Sequence, residues 1–300
     1  FNQAMKNLGN TKENPSVGCI ITNGNHIVGA GSTSKNGRPH AEFNAIKSIK
    51  NNIKNSYLYV TLEPCSHYGK TPPCVDKIIN SKIKKVFFSV HDPDIRSFNK
   101  SSNILKKKGI KVNKGVNYKE VKDFYRSYFL FKEKKVPFVT LKLAVSKDLK
   151  TINKKKRWIT NVHSRSRVHL MRSMHDCIIT SSQTIIKDNP ILNCRIEGLE
   201  SSNPTKVILD KNLKIPLNSN IFNKKKNNKI IIFYNNFNKK KIKNLRKKNI
   251  KLVKISLNSK NELNLKEALK EICKLGFSRV FLECGETLAT SFMKENLVND

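Results

Sequence analysis

Apolar and polar positions along this chain follow two alternating periods. Runs rich in β-branched and aromatic residues predict strands at Val17–Thr22 and His26–Ser32, with Asn23-Gly24-Asn25 as the hairpin turn between them. Ala41, Ala45, Ile46 and Ile49 fall at helical spacing and predict a helix over Ala41–Lys50. Strands are expected at Ser56–Leu62, Lys85–Val90 and Ile110–Val112, and helices at Val75–Ser81, Asn99–Lys108 and Asn117–Lys132. The polar stretch Glu133-Lys134-Lys135-Val136-Pro137 then interrupts the pattern, and its proline ends a helix. A domain boundary is therefore expected there, giving 1–135 and 136–300.

The second half restarts with a strand at Phe138–Ser146. Further strands are expected at Asp176–Thr180, Lys206–Leu209, Lys229–Tyr234, Ile250–Ile255 and Arg279–Leu282. The helices between them fall at 161–174, Thr184–Lys187, 239–248, Asn264–Leu275 and Glu286–Asn296. Both halves thus read as α/β, a sheet flanked by helices. There is no GxGxxG and no GxxxxGK, so neither a Rossmann dinucleotide fingerprint nor a Walker loop is available. The chain stops after a helix where a further strand is expected, so the second domain reads as truncated.

Composition changes the picture in one respect. Fifty-nine Lys+Arg against 22 Asp+Glu give a net charge of +37, which by itself points to a polyanionic partner. The cations are 49 lysines and only 10 arginines, beside 37 asparagines, and the lysines run from end to end. A surface selected for nucleic acid favours arginine, whose planar fork reads phosphates and guanine edges. Compositional drift towards lysine and asparagine explains most of the excess, and no nucleic-acid partner is expected. No apolar run approaches the roughly 20 residues of a membrane span, and no signal peptide is visible. Seven unevenly spaced cysteines fit a reducing cytosol, where cysteines close in sequence are more often metal ligands than bridges. A cytoplasmic enzyme is the expectation.

The strongest chemical signal is His40-Ala41-Glu42, followed by Pro64-Cys65 and Cys74. One imidazole and two thiolates make a catalytic zinc set, because three protein ligands leave the fourth position for water. Glu42, two residues after His40, is placed to move protons without ligating the metal. The H-x-E…P-C…C order is that of zinc nucleobase deaminases. A structural zinc site with His67 as a fourth ligand is the alternative, and it leaves Glu42 unexplained.

Between the cysteines lie eight residues, Ser66-His67-Tyr68-Gly69-Lys70-Thr71-Pro72-Pro73. The run from Thr61 to Cys74 resembles the deaminase motif of the RibD family of bifunctional riboflavin-biosynthesis proteins. Asn14-Pro15-Ser16-Val17-Gly18-Cys19 and Gly37-Arg38-Pro39-His40-Ala41-Glu42 match that family as well. The resemblance continues through Pro137–Ala144, Trp158-Ile159-Thr160, 172–180, 184–195 and Glu283-Cys284-Gly285-Glu286-Thr287-Leu288.

It implies a cytidine-deaminase-like three-layer domain followed by a dihydrofolate-reductase-like domain that uses NADPH. The first would deaminate a diaminopyrimidinone carrying a ribosylamino 5′-phosphate, and the second would reduce the ribosyl group of the product to a ribityl chain. Zn2+ would be held by His40, Cys65 and Cys74, with Glu42 catalytic and Asn14 and Lys70 on the substrate. Lys156, Arg172, Leu192, Arg195 and Glu283 would hold the second substrate. Ala144, Trp158, Thr184, Asp188, Gly285, Glu286, Thr287, Leu288, Ala289, Thr290 and Ser291 would contact NADPH. A homo-oligomer, dimer or tetramer, is implied too.

The chain departs from the family pattern at Ser146-Lys147-Asp148-Leu149-Lys150, where a glycine is lost. It departs again at Lys156, in place of a serine, and at Ser97-Phe98-Asn99-Lys100-Ser101, in place of Val-Ala-Gly-Arg/Lys-Gly. Two alternatives follow: a deaminase with a degraded reductase half, and a tRNA- or DNA-editing deaminase. The eight-residue cysteine spacing and the whole second half weigh against the latter.

Overall fold

The first unit is organised by a five-stranded sheet. A computed structural model describes residues 1–50, 53–146, 159–223, 229–236 and 238–300, and its contacts divide the chain into units Phe1–Lys134 and Lys135–Asp300. A short helix, Asn2–Met5 (α1), precedes the hairpin of Gly18–Asn23 (β1) and His26–Ser32 (β2). Ala41–Lys47 (α2), Tyr57–Leu62 (β3), Cys74–Asn80 (α3) and Lys85–Val90 (β4) follow. Ser101–Lys107 (α4), Lys111–Lys114 (β5), Tyr118–Phe124 (α5) and Arg126–Lys134 (α6) complete the unit.

The strand order is β2-β1-β3-β4-β5, antiparallel across β2, β1 and β3 and parallel from β3 to β5. Alternate residues of β1 and β3, among them Cys19, Ile21, Leu58 and Val60, are buried in one core with Val86, Phe88 and Leu105. Gly31 is what lets α2 lie close on β2, since a Cβ there would collide with the Ala41 carbonyl and the Ala45 nitrogen.

The sequence predicts one long helix over Asn117–Lys132, whereas the structure has two, meeting at Tyr125. The reason is a tertiary anchor. The Tyr125 hydroxyl donates to the Ser16 carbonyl at 3.1 Å and shares a 2.6 Å hydrogen bond with Thr61 Oγ1. Its ring is buried among Phe124, Tyr128 and Phe129.

The second unit contains Phe138–Lys142 (β6), Val162–Ser173 (α7), Cys177–Ser181 (β7), Ser182–Asp188 (α8) and Thr205–Leu209 (β8). Ile230–Tyr234 (β9), Lys239–Lys247 (α9), Lys251–Lys254 (β10), Leu265–Lys274 (α10), Arg279–Glu283 (β11) and Glu286–Lys294 (α11) follow. The sheet order is β10-β9-β8-β7-β11-β6, with every adjacent pair parallel. A parallel sheet is covered on both faces, which explains why β8 and β9 are buried at every position. Successive residues divide between two cores: Ile179, Val207 and Ile231 enter one, and Ile178, Ile208 and Ile232 the other.

Four helices start on a side chain that caps their free N–H groups: Asn161 for α7, Ser181 for α8, Asn238 for α9 and Asn264 for α10. The strand expected over Phe138–Ser146 ends at Lys142.

Candidate metal centre and reductase crevice

Three separate elements deliver the metal-ligand set. His40 stands at the N-cap of α2, Cys65 lies just beyond β3, and Cys74 opens α3. Their donor atoms all lie within 4.8 Å of one another. His40 Nδ1 is 3.6 Å from Cys65 Sγ and 3.4 Å from Cys74 Sγ, while Cys65 Sγ accepts the Cys74 backbone N–H at 3.2 Å. The neighbouring Cys74 thiol, with the His40 imidazole and the Cys74 amide, pushes the Cys65 thiol down to about 4 against the opposing effect of burial. Cys65 is thus a ready thiolate, the form that binds metal. A soft-donor set of this kind, open on one side, fits zinc with a free coordination position.

Glu42, in the first turn of α2, is buried, and desolvation followed by the Cys65 charge pushes its carboxyl up to about 7. A carboxyl poised near neutrality suits a group that must both take and return a proton.

His40, Glu42 and Cys65 line a cavity of about 430 Å3, and Asn14 and Lys70 line it with them. Asn14 Nδ2 donates to the Gly37 carbonyl at 3.0 Å. Gly37 sits at φ 86, where a Cβ would fall 2.5 Å from Asn14 Nδ2, so glycine is required for Asn14 to face the site. Lys70 is exposed and lies 3.8 Å from Glu13.

The opposite wall was not among the sequence candidates. It holds Asp92, Asp94, Arg96 and Lys132. Arg96 grips Asp94 with Nε at 2.8 Å and Nη2 at 2.6 Å, and Lys132 Nζ adds a third contact at 3.3 Å. Arg96 and the Arg96 backbone amide, with Lys132, hold the Asp94 carboxyl below the usual carboxylate range, although burial opposes them. His67 Nδ1 lies 2.9 Å from Ser97 Oγ.

In the second unit, β7, β11 and β6 are neighbours, so the segments beyond their carboxyl ends converge. Ala144 follows β6, Thr184 lies in the first turn of α8, and Gly285 is the N-cap of α11. Space above Gly285 is open: a Cβ at that position would meet nothing within 4 Å. Free N–H groups at a helix start beside the carboxyl ends of parallel strands fit a pyrophosphate.

The comparisons with known proteins agree with this division. The family profile "Cytidine and deoxycytidylate deaminase zinc-binding region" matches residues 2–90, and "RibD C-terminal domain" matches residues 137–300. The riboflavin biosynthesis protein RibD of Aquifex aeolicus is 34% identical over 97% of this chain and 80% of its own length. That of Buchnera aphidicola is 35% identical, covering 99% and 82%. The chain belongs to the RibD family.

Among solved RibD-type structures, a diaminohydroxyphosphoribosylaminopyrimidine deaminase/5-amino-6-(5-phosphoribosylamino)uracil reductase from Thermotoga maritima superposes with a TM-score of 0.85 at 31% identity. It covers 98% of this chain and 81% of that one. Acinetobacter baumannii RibD gives 0.87 at 29%, covering 99% and 82%. The chain is therefore a two-part enzyme of riboflavin biosynthesis, a cytidine-deaminase-like half followed by a reductase half.

Within the reductase half, the sequence candidates take distinct places. Glu286, Thr287, Leu288, Ala289, Thr290 and Ser291 form the first turns of α11, with Ala289 turned into the interior. Asp188 ends α8. Leu192 is buried in the core with Ile178 and Ile208, at φ 53. Lys156 and Trp158 lie outside the described residues.

Arg172 does not present an open fork. Its Nε and Nη2 bind Glu283 at 2.9 and 2.7 Å, and Nη1 donates to the Asn193 carbonyl at 2.9 Å. Arg195 is exposed and donates to His169 Nε2 at 3.2 Å through Nη2. The role of His169 was missed in the sequence, where nothing distinguishes it from a surface helix residue. Among the described residues, no helix is long and apolar enough to cross a membrane.

Proposed function

We propose that the first unit deaminates a diaminopyrimidinone bearing a ribosylamino 5′-phosphate, and that the second reduces the ribosyl group of the resulting aminouracil to a ribityl chain with NADPH. The observation that carries the first step is the grouping of the His40, Cys65 and Cys74 donor atoms within 4.8 Å of one another, beside a cavity lined by His40, Cys65 and buried Glu42. Zinc, when held by His40 Nδ1 and the two cysteine sulfurs, supplies a water acidified enough to attack the ring carbon that bears the amino group.

Glu42 takes one proton from the attacking water and passes it to the ring nitrogen, then takes the second from the new hydroxyl and passes it to the amino group, which leaves as ammonia. Desolvation at Glu42 makes both transfers accessible near neutral pH. Asn14, steadied by Gly37, is placed for the polar edge of the base. Lys70, Arg38, Arg96 and Lys132 give the cavity a cationic rim suited to a phosphate.

For the second step, NADPH supplies the hydride. Gly285 and the following turn of α11, with Thr184 and Ala144, form its bed. Arg195, exposed and hydrogen-bonded to His169, meets the substrate's phosphate in this reading, and Arg172 is paired with Glu283. A homo-oligomer is part of this reading.

The test is ammonia release by the zinc-loaded chain from the diaminopyrimidinone phosphate. Glu42→Gln is expected to lower kcat by about 10²–10⁴-fold while zinc content stays at the wild-type level. Equal turnover by the variant would overturn the assignment of Glu42, and no turnover by the wild type would overturn the deaminase reading.

A further inference from the structure

We infer that Glu63 is a positioning residue of the deaminase site: its buried carboxylate ties down the 91–101 loop so that Asp94 and Arg96 form a fixed wall of the cavity. The inference rests on the deaminase reading above for its kinetic readout, though not for its structural one.

Glu63 lies between the end of β3 and the first cysteine ligand, and its side chain is completely buried. A buried carboxylate is costly unless its lone pairs are filled. Here they are filled from a single loop. Oε2 accepts His91 Nδ1–H at 2.8 Å, the Asn99 N–H at 3.1 Å and the Asp92 N–H at 3.4 Å, while Oε1 accepts Ser101 Oγ–H at 2.5 Å. The donors come from the two ends of that loop, 91–92 and 99–101, so one carboxylate closes it like a clasp. Closure is tight enough to hold Asn99 at φ 55, a left-handed conformation that asparagine tolerates better than most residues.

The segment between the clasped ends carries the second wall of the cavity. Asp94 and Arg96 line it, and Asp92 stands beside them. Ser97, fully buried, reaches the cysteine loop through His67 Nδ1 at 2.9 Å and the Ser66 N–H at 3.5 Å. Glu63 therefore fixes the distance between this wall and the ligand loop that begins two residues after it. Neither His40 nor Glu42 depends on it, because both belong to α2, which is seated on β2 through Gly31. A fault at Glu63 should thus reach substrate binding while leaving proton transfer and metal binding in place.

Glu63→Gln preserves shape but points an amide N–H2 at N–H donors. In the full-length, zinc-loaded chain the variant is expected to keep wild-type zinc content and a kcat within about threefold, with KM for the diaminopyrimidinone phosphate raised about tenfold or more. Hydrogen exchange of the 94–98 amides should accelerate at least about tenfold, with β3 and α3 unchanged. Unchanged KM and exchange would overturn the proposal, and so would loss of zinc with a collapse of kcat, since that assigns Glu63 to the cysteine loop. Should Glu63→Gln fail to fold, Ser101→Ala removes one donor and leaves the carboxylate. Raised KM with full zinc content supports the clasp, and wild-type KM with unchanged exchange refutes it. If the wild type releases no ammonia, the deaminase reading falls, while the exchange measurement still decides the clasp.

Discussion

Asp92 shows what burial does to one carboxyl in this site. Desolvation pushes it up to about 6, against the Asp94 amide and the Tyr128 hydroxyl that bond to its Oδ1. An unfolded aspartate releases its proton near pH ~3.9. Between those values the folded chain binds more protons, so stability falls as pH rises through that window and stays lower above it. Asp92→Asn keeps an oxygen for both donors and is neutral at every pH. It is expected to raise Tm at about pH 7.5, by at most about 2–3 kcal/mol of stability, and to leave Tm near the wild-type value at about pH 4.5. A shift of equal size at both pH values would refute this account.

His169 carries a second residue-scale expectation. Asn193's carbonyl can only accept, so His169 Nδ1 donates to it at 2.9 Å, leaving Nε2 to accept from Arg195. Burial, then Arg172 and Arg195, lower the imidazole's pKa and favour this neutral form. His169→Asn retains a donor near Nδ1 and loses the acceptor for Arg195, whereas His169→Gln retains an acceptor near Nε2. The first is expected to raise the reductase KM about tenfold and the second to recover part of it; equal effects would sink the idea. None of this was legible in the sequence, because the partners of His169 are 24 and 26 residues away. The grouping of His40, Cys65 and Cys74 was legible, because metal chemistry demands particular residue types at short spacing.

At the scale of elements, the pattern of apolar positions placed the strands of both sheets close to where they occur, since the inner strands bury alternate or continuous residues, although the edge strands β5 and β10 bury none. The helix starts at Asn161, Ser181, Asn238 and Asn264 carry their capping signal in the residue type itself. The break between α5 and α6 does not. Helical spacing runs straight through Tyr125, and only the hydroxyl's bonds to Thr61 and Ser16 explain the interruption. Tyr125→Phe removes those bonds and leaves Thr61 Oγ1 with the Gly18 N–H as its remaining partner among the described residues. A loss of about 1–3 kcal/mol is expected in denaturant unfolding of the full chain, with zinc content retained. A change below about 0.5 kcal/mol would mean that ring packing alone sets the break.

For the whole molecule, the net charge of +37 suggested a polynucleotide, and family membership has replaced that with a small-molecule enzyme. The cationic side chains around the first cavity leave the charge a kinetic role. A phosphorylated substrate should be drawn in at long range, an attraction screened over about 10 Å at 0.1 M salt. kcat/KM for deamination is expected to fall several-fold between about 20 and 200 mM salt, with kcat nearly constant. A flat salt profile would remove steering from the account. The proposed second site was less legible than the first because its candidate residues lie far apart in sequence: Arg172 and Glu283, which pair with each other, are separated by 111 residues.

The locality of the proposed zinc ligands has a consequence for biosynthesis. His40, Cys65 and Cys74 all precede β4, so a nascent chain exposes the complete candidate ligand set before the last two strands of that sheet, or any of the reductase half, have emerged. Domains made first fold first. On the proposed reading, metal capture can therefore accompany the emergence of the chain, and the thiols of Cys65 and Cys74, once bound, would be withdrawn from oxidation while the remainder is still being made.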